Sequence, residues 1–141
     1  MTSRKGNYAA VLKKVQRETP QKIDKALQDT ANETISKLID RTPVDTGAAK
    51  YHWFARALPD EKFDKKRVDP SGAQPKARAK RDIKTIFKIG RVLWLVNSAP
   101  YMVYLEEGSS TQAPSGVVAI TIAEVAPMFQ RHMKTAISKP I

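Results

Sequence analysis

The side chains best suited to acid–base or metal chemistry are few and poorly spaced. His52 and His132 are the only histidines and lie 80 positions apart, outside any metal-binding spacing such as His-Glu-x-x-His. Glu106 and Glu107 are adjacent, so on a helix their carboxylates diverge by about 100° and cannot act as a converging acid–base pair. The chain has no cysteine, which excludes thiolate metal sites and cysteine nucleophiles. We therefore expect a protein that is not an enzyme and that has no catalytic site, metal or cofactor.

Positive charge is concentrated in one segment. The net charge is +11, and residues 62–91 hold eleven basic against three acidic side chains. Such a local field indicates contact with a polyanion, either nucleic acid or an acidic protein surface, with a solvated mobile loop as the alternative. No helix-turn-helix, zinc-finger or aromatic RNA-binding signature accompanies it, so any nucleic-acid contact would be independent of base sequence. The best candidates for these contacts are Lys76, Arg78, Lys80, Arg81 and Lys84.

The first segment has the pattern of a long amphipathic helix. From Pro20 onward, apolar residues recur every three to four positions with charged and polar residues between them. This helix should end near Arg41, because Pro43 disfavours helical geometry in Thr42. Residues 8–15 form either a separate short helix or the first turns of a helix kinked at Pro20.

The middle of the chain has the alternation typical of β-strands. The odd-numbered residues 51–57 predict the buried face of one strand, with His52 on its exposed face. Residues 83–89 and 92–96 predict a hairpin, or one long strand with a bulge at Gly90. The continuous apolar run 92–96 favours a strand that is covered on both faces.

A long loop is predicted between these strands, over about residues 59–82. It holds three prolines and few apolar side chains beyond Phe63 and Val68. Because it has so little apolar surface to bury, we expect it to be mobile in the free chain and to become ordered on contact with a partner.

The last part of the chain is predicted to be helical. Residues 98–100 open a short helix that Gly108 ends, and a final helix follows with an apolar face that includes Ile122 and Ile137. The chain thus predicts one α+β domain over residues 1–141, with a long N-terminal helix, an antiparallel sheet with a long basic loop, a short helix and a C-terminal helix. No apolar run approaches the ~20 residues of a membrane span, so we expect a cytoplasmic product without membrane contact.

Two phrases in the sequence are distinctive. Arg-Thr-Pro-Val-Asp-Thr-Gly spans residues 41–47, and Asn-Ser-Ala-Pro-Tyr-Met-Val-Tyr-Leu-Glu-Glu-Gly-Ser spans residues 97–109, followed by Gln-Ala-Pro-Ser-Gly at 112–116. Their order and spacing resemble the tail-completion or neck proteins of tailed bacteriophages, the family that includes minor tail protein Z, over about residues 20 to 137. The residues that carry the resemblance are Thr42, Pro43, Asp45, Thr46, Gly47, Asn97, Pro100, Tyr101, Tyr104, Glu106, Gly108, Gln112, Pro114 and Gly116.

The resemblance implies a virion structural protein of the head–tail junction, made in the host cytoplasm. Copies would join in a ring, by family analogy a hexamer, between the head-side adaptor or portal complex and the tail terminator or tail tube. Phage DNA would pass through its lumen, and the residues of the two phrases would form turn and interface loops. A small basic protein that binds nucleic acid without sequence preference is the alternative. Because the sequence indicates no strongly apolar exposed face, we expect the isolated chain to be a monomer or weak oligomer.

Overall fold

The computed structural model describes residues 2–139, with side chains from residue 8 onward. It confirms the α+β class, with two long helices, three shorter ones and a two-stranded antiparallel sheet. In chain order the elements are α1 (Thr2–Arg41), α2 (Ala48–Tyr51), β1 (Trp53–Arg56), α3 (Ala73–Ile86), β2 (Trp94–Asn97), α4 (Met102–Glu106) and α5 (Val118–Ser138).

Helix α1 is a single element of 40 residues that includes Pro20. The alternative of two separate helices is therefore wrong. A proline inside a helix removes one backbone hydrogen bond, and here the many turns on either side keep the helix in register across that gap. The helix ends at Arg41 as predicted, where the amide of Thr42 still donates to the carbonyl of Leu38 at 3.1 Å.

The predicted loop over residues 59–82 is wrong in its second half. Residues 73–86 form α3, which buries Pro75, Ala79 and Ile83 at a spacing of four. Proline is tolerated in the first turn because the amides there have no intrahelical acceptor. The Asp69 carboxylate accepts hydrogen bonds from the amides of Ser71 and Gln74 at 3.1 and 2.8 Å, which fixes the turn before the helix and satisfies one free donor of its first turn.

The sheet is antiparallel as expected, but its strands pair differently. Strand β2 pairs with β1, with Trp53 opposite Asn97 and Arg56 opposite Trp94. The hairpin of residues 83–89 with 92–96 is wrong, because α3 already uses residues up to Ile86. Trp53, Phe54 and Ala55 are all buried, so β1 is covered on both faces, whereas Trp94 in β2 is 45% exposed. This is the reverse of the burial expected for the two strands.

The core lies where α1 meets β1, α3 and the start of α5. Its largest members include Ile35, Ile39, Trp53, Ile83 and Val117. Helix α5 runs antiparallel along α1, from Thr121 beside Arg41 to Lys139 beside Lys22.

The apolar face predicted for α5 is rotated relative to the face that packs on α1. Thr121, Met128 and Ala136 are buried, while Ile122 and Ile137 are more than half exposed. Among residues 2–139, no helix combines the length and apolarity needed to cross a bilayer.

Candidate functional site: a loop cluster and a basic helix face

The turn at residues 42–47 is fixed to both the helix before it and the strand after it. The Thr42 hydroxyl donates to the carbonyl of Leu38 at 2.6 Å and accepts from Trp53 Nε1 at 2.8 Å. Gly47 has a φ of 92°, and an added Cβ there would lie 2.4 Å from the nitrogen of Pro70. Only glycine therefore fits this position, because a side chain would meet both backbone strain and a rigid neighbour. Thr46 accepts from the amide of Ala48 at 3.2 Å, which starts α2.

Gln112 joins this turn to the loop before α5. Its Oε1 accepts from the amide of Val44 at 3.0 Å, and its Nε2 donates to the carbonyl of the same residue at 3.0 Å. One side chain thereby satisfies both backbone groups of a residue 68 positions away, as a neighbouring β-strand would. The two phrases of the sequence are consequently parts of one loop cluster, which we define as residues 42–47 and 97–116.

Asn97 ties the start of the second phrase to α2. Its Nδ2 donates to the carbonyl of Ala49 at 2.7 Å, and its Oδ1 accepts from the amide of Ala99 at 2.9 Å. Pro100 follows at the surface, and α4 begins two residues later than the sequence predicts. Gly108 comes just after α4, and its amide donates to Leu105 at 3.2 Å.

Glu106 caps α5 from the end of α4. Its carboxylate accepts from the amides of Val117, Val118 and Ala119 at 2.8, 2.6 and 2.9 Å. Burial raises its pKa, but these three donors and the helix dipole stabilise the anion, so the pKa lies below its ordinary value. Gly116 has a φ of 82°, and a Cβ there would lie 2.5 Å from the Glu106 carbonyl oxygen. A side chain at position 116 would therefore collide with Glu106 and disturb the cap.

A cleft of about 590 Å³ opens on the surface of the loop cluster. Its walls include Asp45, Phe63, Lys65, Tyr101 and Gln112. The Tyr101 ring meets Phe63 edge-on at 5.9 Å between centroids. Burial, followed by the charge of Asp45, raises the pKa of Tyr101. The cleft combines apolar walls with a few polar groups, a composition that is usual for ligand-binding clefts.

Several predicted residues shape the loop cluster without lining this cleft. Tyr104 is 63% exposed, so it is free to meet another surface. The Pro114 carbonyl lies against Gly108, where a Cβ would come within 2.3 Å of its oxygen. Pro43 is buried under the turn, although part of it reaches the cleft wall.

Helix α3 divides the five predicted basic residues into two groups. Lys80, Arg81 and Lys84 are exposed on one face of the helix, which we call the basic face. Lys76 pairs with Asp40 of α1 at 2.5 Å. Of these five residues, the three of the basic face are exposed to a polyanion, because Lys76 already has an acidic partner and Arg78 is engaged within the fold.

Arg78 stabilises the packing of α3 against β1. Its guanidinium carbon lies 3.8 Å from the centroid of Phe54 and 4.7 Å from that of Tyr51. Its Nη2 donates to the carbonyls of Tyr51 and Trp53 at 2.5 and 2.9 Å. Burial lowers its pKa, though not enough to remove a guanidinium charge. The expectation that Arg78 faces a partner is therefore wrong.

Both histidines have structural partners. His52 is 1% exposed, its Nδ1 lies 2.7 Å from the Ala48 carbonyl, and its Nε2 accepts from the amide of Asp64 at 3.0 Å. The prediction of a partly exposed strand residue is wrong, and a neutral ring protonated on Nδ1 satisfies both contacts. His132 lies 2.9 Å from Glu33. Within the part of the chain that the structure describes, no three His, Cys, Asp or Glu residues are grouped to hold a metal ion.

Comparisons of the chain with protein-family models, with curated proteins and with solved structures find no match.

We predict that the Glu106 cap stabilises the fold in a pH-dependent way. Glu106→Ala should lower the free energy of unfolding by about 1–2 kcal/mol at pH 7, because three helix amides lose their acceptor. The loss should be fully present above the ordinary glutamate pKa of about 4.3 and should shrink as the pH falls through the lower pKa of the folded state. Urea unfolding followed by tryptophan fluorescence measures it. Glu107→Ala is the matched control, and an equal effect of both variants would contradict the cap.

We predict that substitutions of two basic residues of α3 differ in their effect on stability. Arg78→Gln should destabilise the protein by about 2–3 kcal/mol, because two carbonyls and two aromatic faces lose a charged donor. Lys80→Gln, two positions away, should change stability by less than about 0.5 kcal/mol because its side chain is exposed. Thermal unfolding of the two variants beside the parent tests this. Equal stability would show that Arg78 has no role in packing.

Proposed function

We propose that the protein is a structural subunit of a tailed-bacteriophage neck, a tail-completion protein that forms a ring between the head-side adaptor and the tail tube. One observation carries the proposal. The residues of the two family-like phrases, far apart in sequence, join in one loop cluster through the Gln112 bridge to Val44, and the Glu106 cap fixes the second phrase to α5. Such contacts are what loops that present a fixed surface to a neighbour require.

The chemistry of the loop cluster also favours a binding role. Its polar side chains, Thr42, Asn97, Glu106 and Gln112, are engaged with backbone groups and hold the loops in place. The groups that remain exposed, such as Asp45 and Tyr104, suit contact with a protein surface. Neighbouring subunits, the portal-side adaptor and the tail terminator or tube are the partners that the resemblance implies.

The basic face supports a passage for DNA through the ring. Lys80 and Lys84 stand one helical turn apart with Arg81 beside them, and all three extend into solvent. Long basic side chains meet phosphates without fixed geometry, so DNA could slide past them. The same observation favours the second candidate, a small protein that binds nucleic acid by itself without sequence preference.

Genome context and deletion test the proposal together. We expect the gene to lie among portal, capsid, adaptor and tail-tube genes, and its deletion from that phage or prophage to leave separate heads and tails in electron micrographs. Supplying the protein from a plasmid should restore joined particles. A gene beside regulators, or joined infectious particles without the protein, would overturn the proposal and favour the second candidate.

We predict that the basic face matters for the particle and not for the fold. In the plasmid assay, Lys80→Gln with Lys84→Gln should reduce infectivity at least about tenfold with unchanged thermal stability, because two phosphate contacts are lost. Lys134→Gln with Lys139→Gln removes the same charge from α5 and the residues after it, and should leave infectivity at the parental level. Equal infectivity of the two double variants would show that the basic face is only solvated.

The same variants separate the two candidate functions. If the protein binds nucleic acid by itself, the free chain should bind duplex DNA at physiological salt. The magnitude of the slope of log affinity against log salt should then be smaller by about 1.8 in the Lys80/Lys84 variant than in the parent. A neck subunit whose binding depends on the assembled ring should show only weak affinity as a free chain.

A further inference from the structure

The N-terminal part of α1 extends beyond the rest of the protein. Helix α5 covers α1 from Arg41 back to Lys22, where the Lys22 ammonium donates to the carbonyl of Lys139 at 2.5 Å. Residues 2–19, which we call the arm, continue for about 27 Å past this point. An isolated helix of this length is marginal in water and normally needs a surface on which its apolar side can pack.

The arm has such an apolar side. Tyr8, Val11, Leu12 and Val15 follow the i, i+3, i+4, i+7 spacing that places them on one face, the arm stripe. Tyr8 is 73% exposed and Leu12 58% exposed, so the arm stripe is uncovered within the chain. The basic residues Lys13, Lys14 and Arg17 fall on the opposite side of the helix, where they would stay in water if the stripe were covered.

An apolar groove lies on the body of the protein. It has a volume of about 580 Å³ between α1, β2 and α5, and most of its surface is carbon. Its walls include Leu27 and Ala31 of α1, Leu95 of β2, and Val125 and Phe129 of α5. The groove follows α1 from Leu27 to Thr34, about 10 Å, which equals the length of the arm stripe from Tyr8 to Val15.

The arm stripe cannot enter the groove of its own chain. Val15 and Leu27 belong to the same continuous helix and are separated along it by about 18 Å. The arm stripe and the groove, which have equal length, are therefore held apart by the same helix α1. The stripe of one molecule can reach a groove only on a second molecule.

We propose that the arm stripe of one copy docks in the groove of a second copy of this chain. The contact joins two different surfaces, so each bound copy still offers its own groove or arm, and association proceeds head to tail into a closed ring or an open chain. The docking stands on this geometry alone, whereas closure into a ring at the neck rests on the proposed function. The exposed arm stripe also shows that the expectation of no strongly apolar exposed face is wrong.

Sedimentation velocity at micromolar concentration tests the docking with two surface variants. Leu12→Glu breaks the arm stripe, and Ala126→Glu places a charge in the groove at an exposed position. Each variant alone should associate at least about tenfold more weakly than the parent, while their mixture should form a 1:1 dimer through the one intact arm and the one intact groove. Circular dichroism verifies that both remain folded.

Matched controls separate the proposal from other pairings. Ala10→Glu on the opposite side of the arm and Ala123→Glu outside the groove should associate like the parent. If Ala126→Glu still dimerises by itself, two arms pair with each other and the proposal is wrong. It is equally wrong if the parent is monomeric at every concentration or if the mixture forms no dimer.

Disulfide trapping locates the contact directly, since the chain has no cysteine of its own. A mixture of Leu12→Cys and Ala126→Cys should give a crosslinked dimer under mild oxidation, and a mixture of Ala10→Cys and Ala126→Cys should not. These results concern the purified chain only. Docking could hold even if the gene lies outside a phage genome, and a neck role could hold without docking, so the two proposals fail separately.

Discussion

The antiparallel packing of α5 on the C-terminal half of α1 determines where the other parts of the chain can lie. At one end Glu124 accepts from Lys37 and Arg41, both at 2.6 Å, and these hydrogen bonds lower its pKa. Further along, Glu33 pairs with Arg131 and His132, and the hydrogen bond from Arg131 lowers its pKa against the effect of burial. These polar contacts set the register of the two helices, while the apolar core between α1 and β1 supplies most of the burial.

The two ends of the α1–α5 helix pair differ in what lies beside them. At the Arg41 end, the chain leaves α1 and later returns to begin α5, so residues 42–47 and 97–116 meet there and the Gln112 bridge and the Glu106 cap can form. At the other end α5 ends near Lys22, and the arm continues without cover. The molecule thus has a loop cluster at one end and an apolar arm at the other, and the proposed head-to-tail contact joins that arm to the groove on the body of a second copy.

The sequence predicted the elements whose signals are local and missed those that depend on distant partners. The ends of α1 and α4 follow from Pro43 and Gly108, whose effects reach only a few residues. Helix α3 was missed because its buried side is mostly small: Ala79 is 1% exposed yet adds little to a count of large apolar residues. Asp69 and Ser71, which lie just before the helix and accept from the amides of its first turn, are the signal that could have revealed it.

The pairing of the strands and the contacts of the site could not be predicted from hydrophobic periodicity, because they join residues that are distant in sequence. Strand β1 pairs with a segment nearly forty residues later, and covering it on both faces requires Arg78, a residue that composition assigns to solvent. Thr121 can be buried in α5 because its hydroxyl donates to the Val117 carbonyl at 2.8 Å, and the face of α5 that packs on α1 therefore includes Thr121 while Ile122 is exposed. The loop-cluster residues could be named from their resemblance to a family, but the backbone groups that they bind could not.

Electron cryo-microscopy of the head–tail junction, in purified particles of the phage that carries the gene, tests the central claim most directly. If the proposed neck role is right, we expect a ring of this chain between the adaptor and the tail tube, with the basic face of α3 towards the DNA and the loop cluster against neighbouring proteins. A junction that contains no copy of the chain, in particles that are complete and infectious, would contradict it.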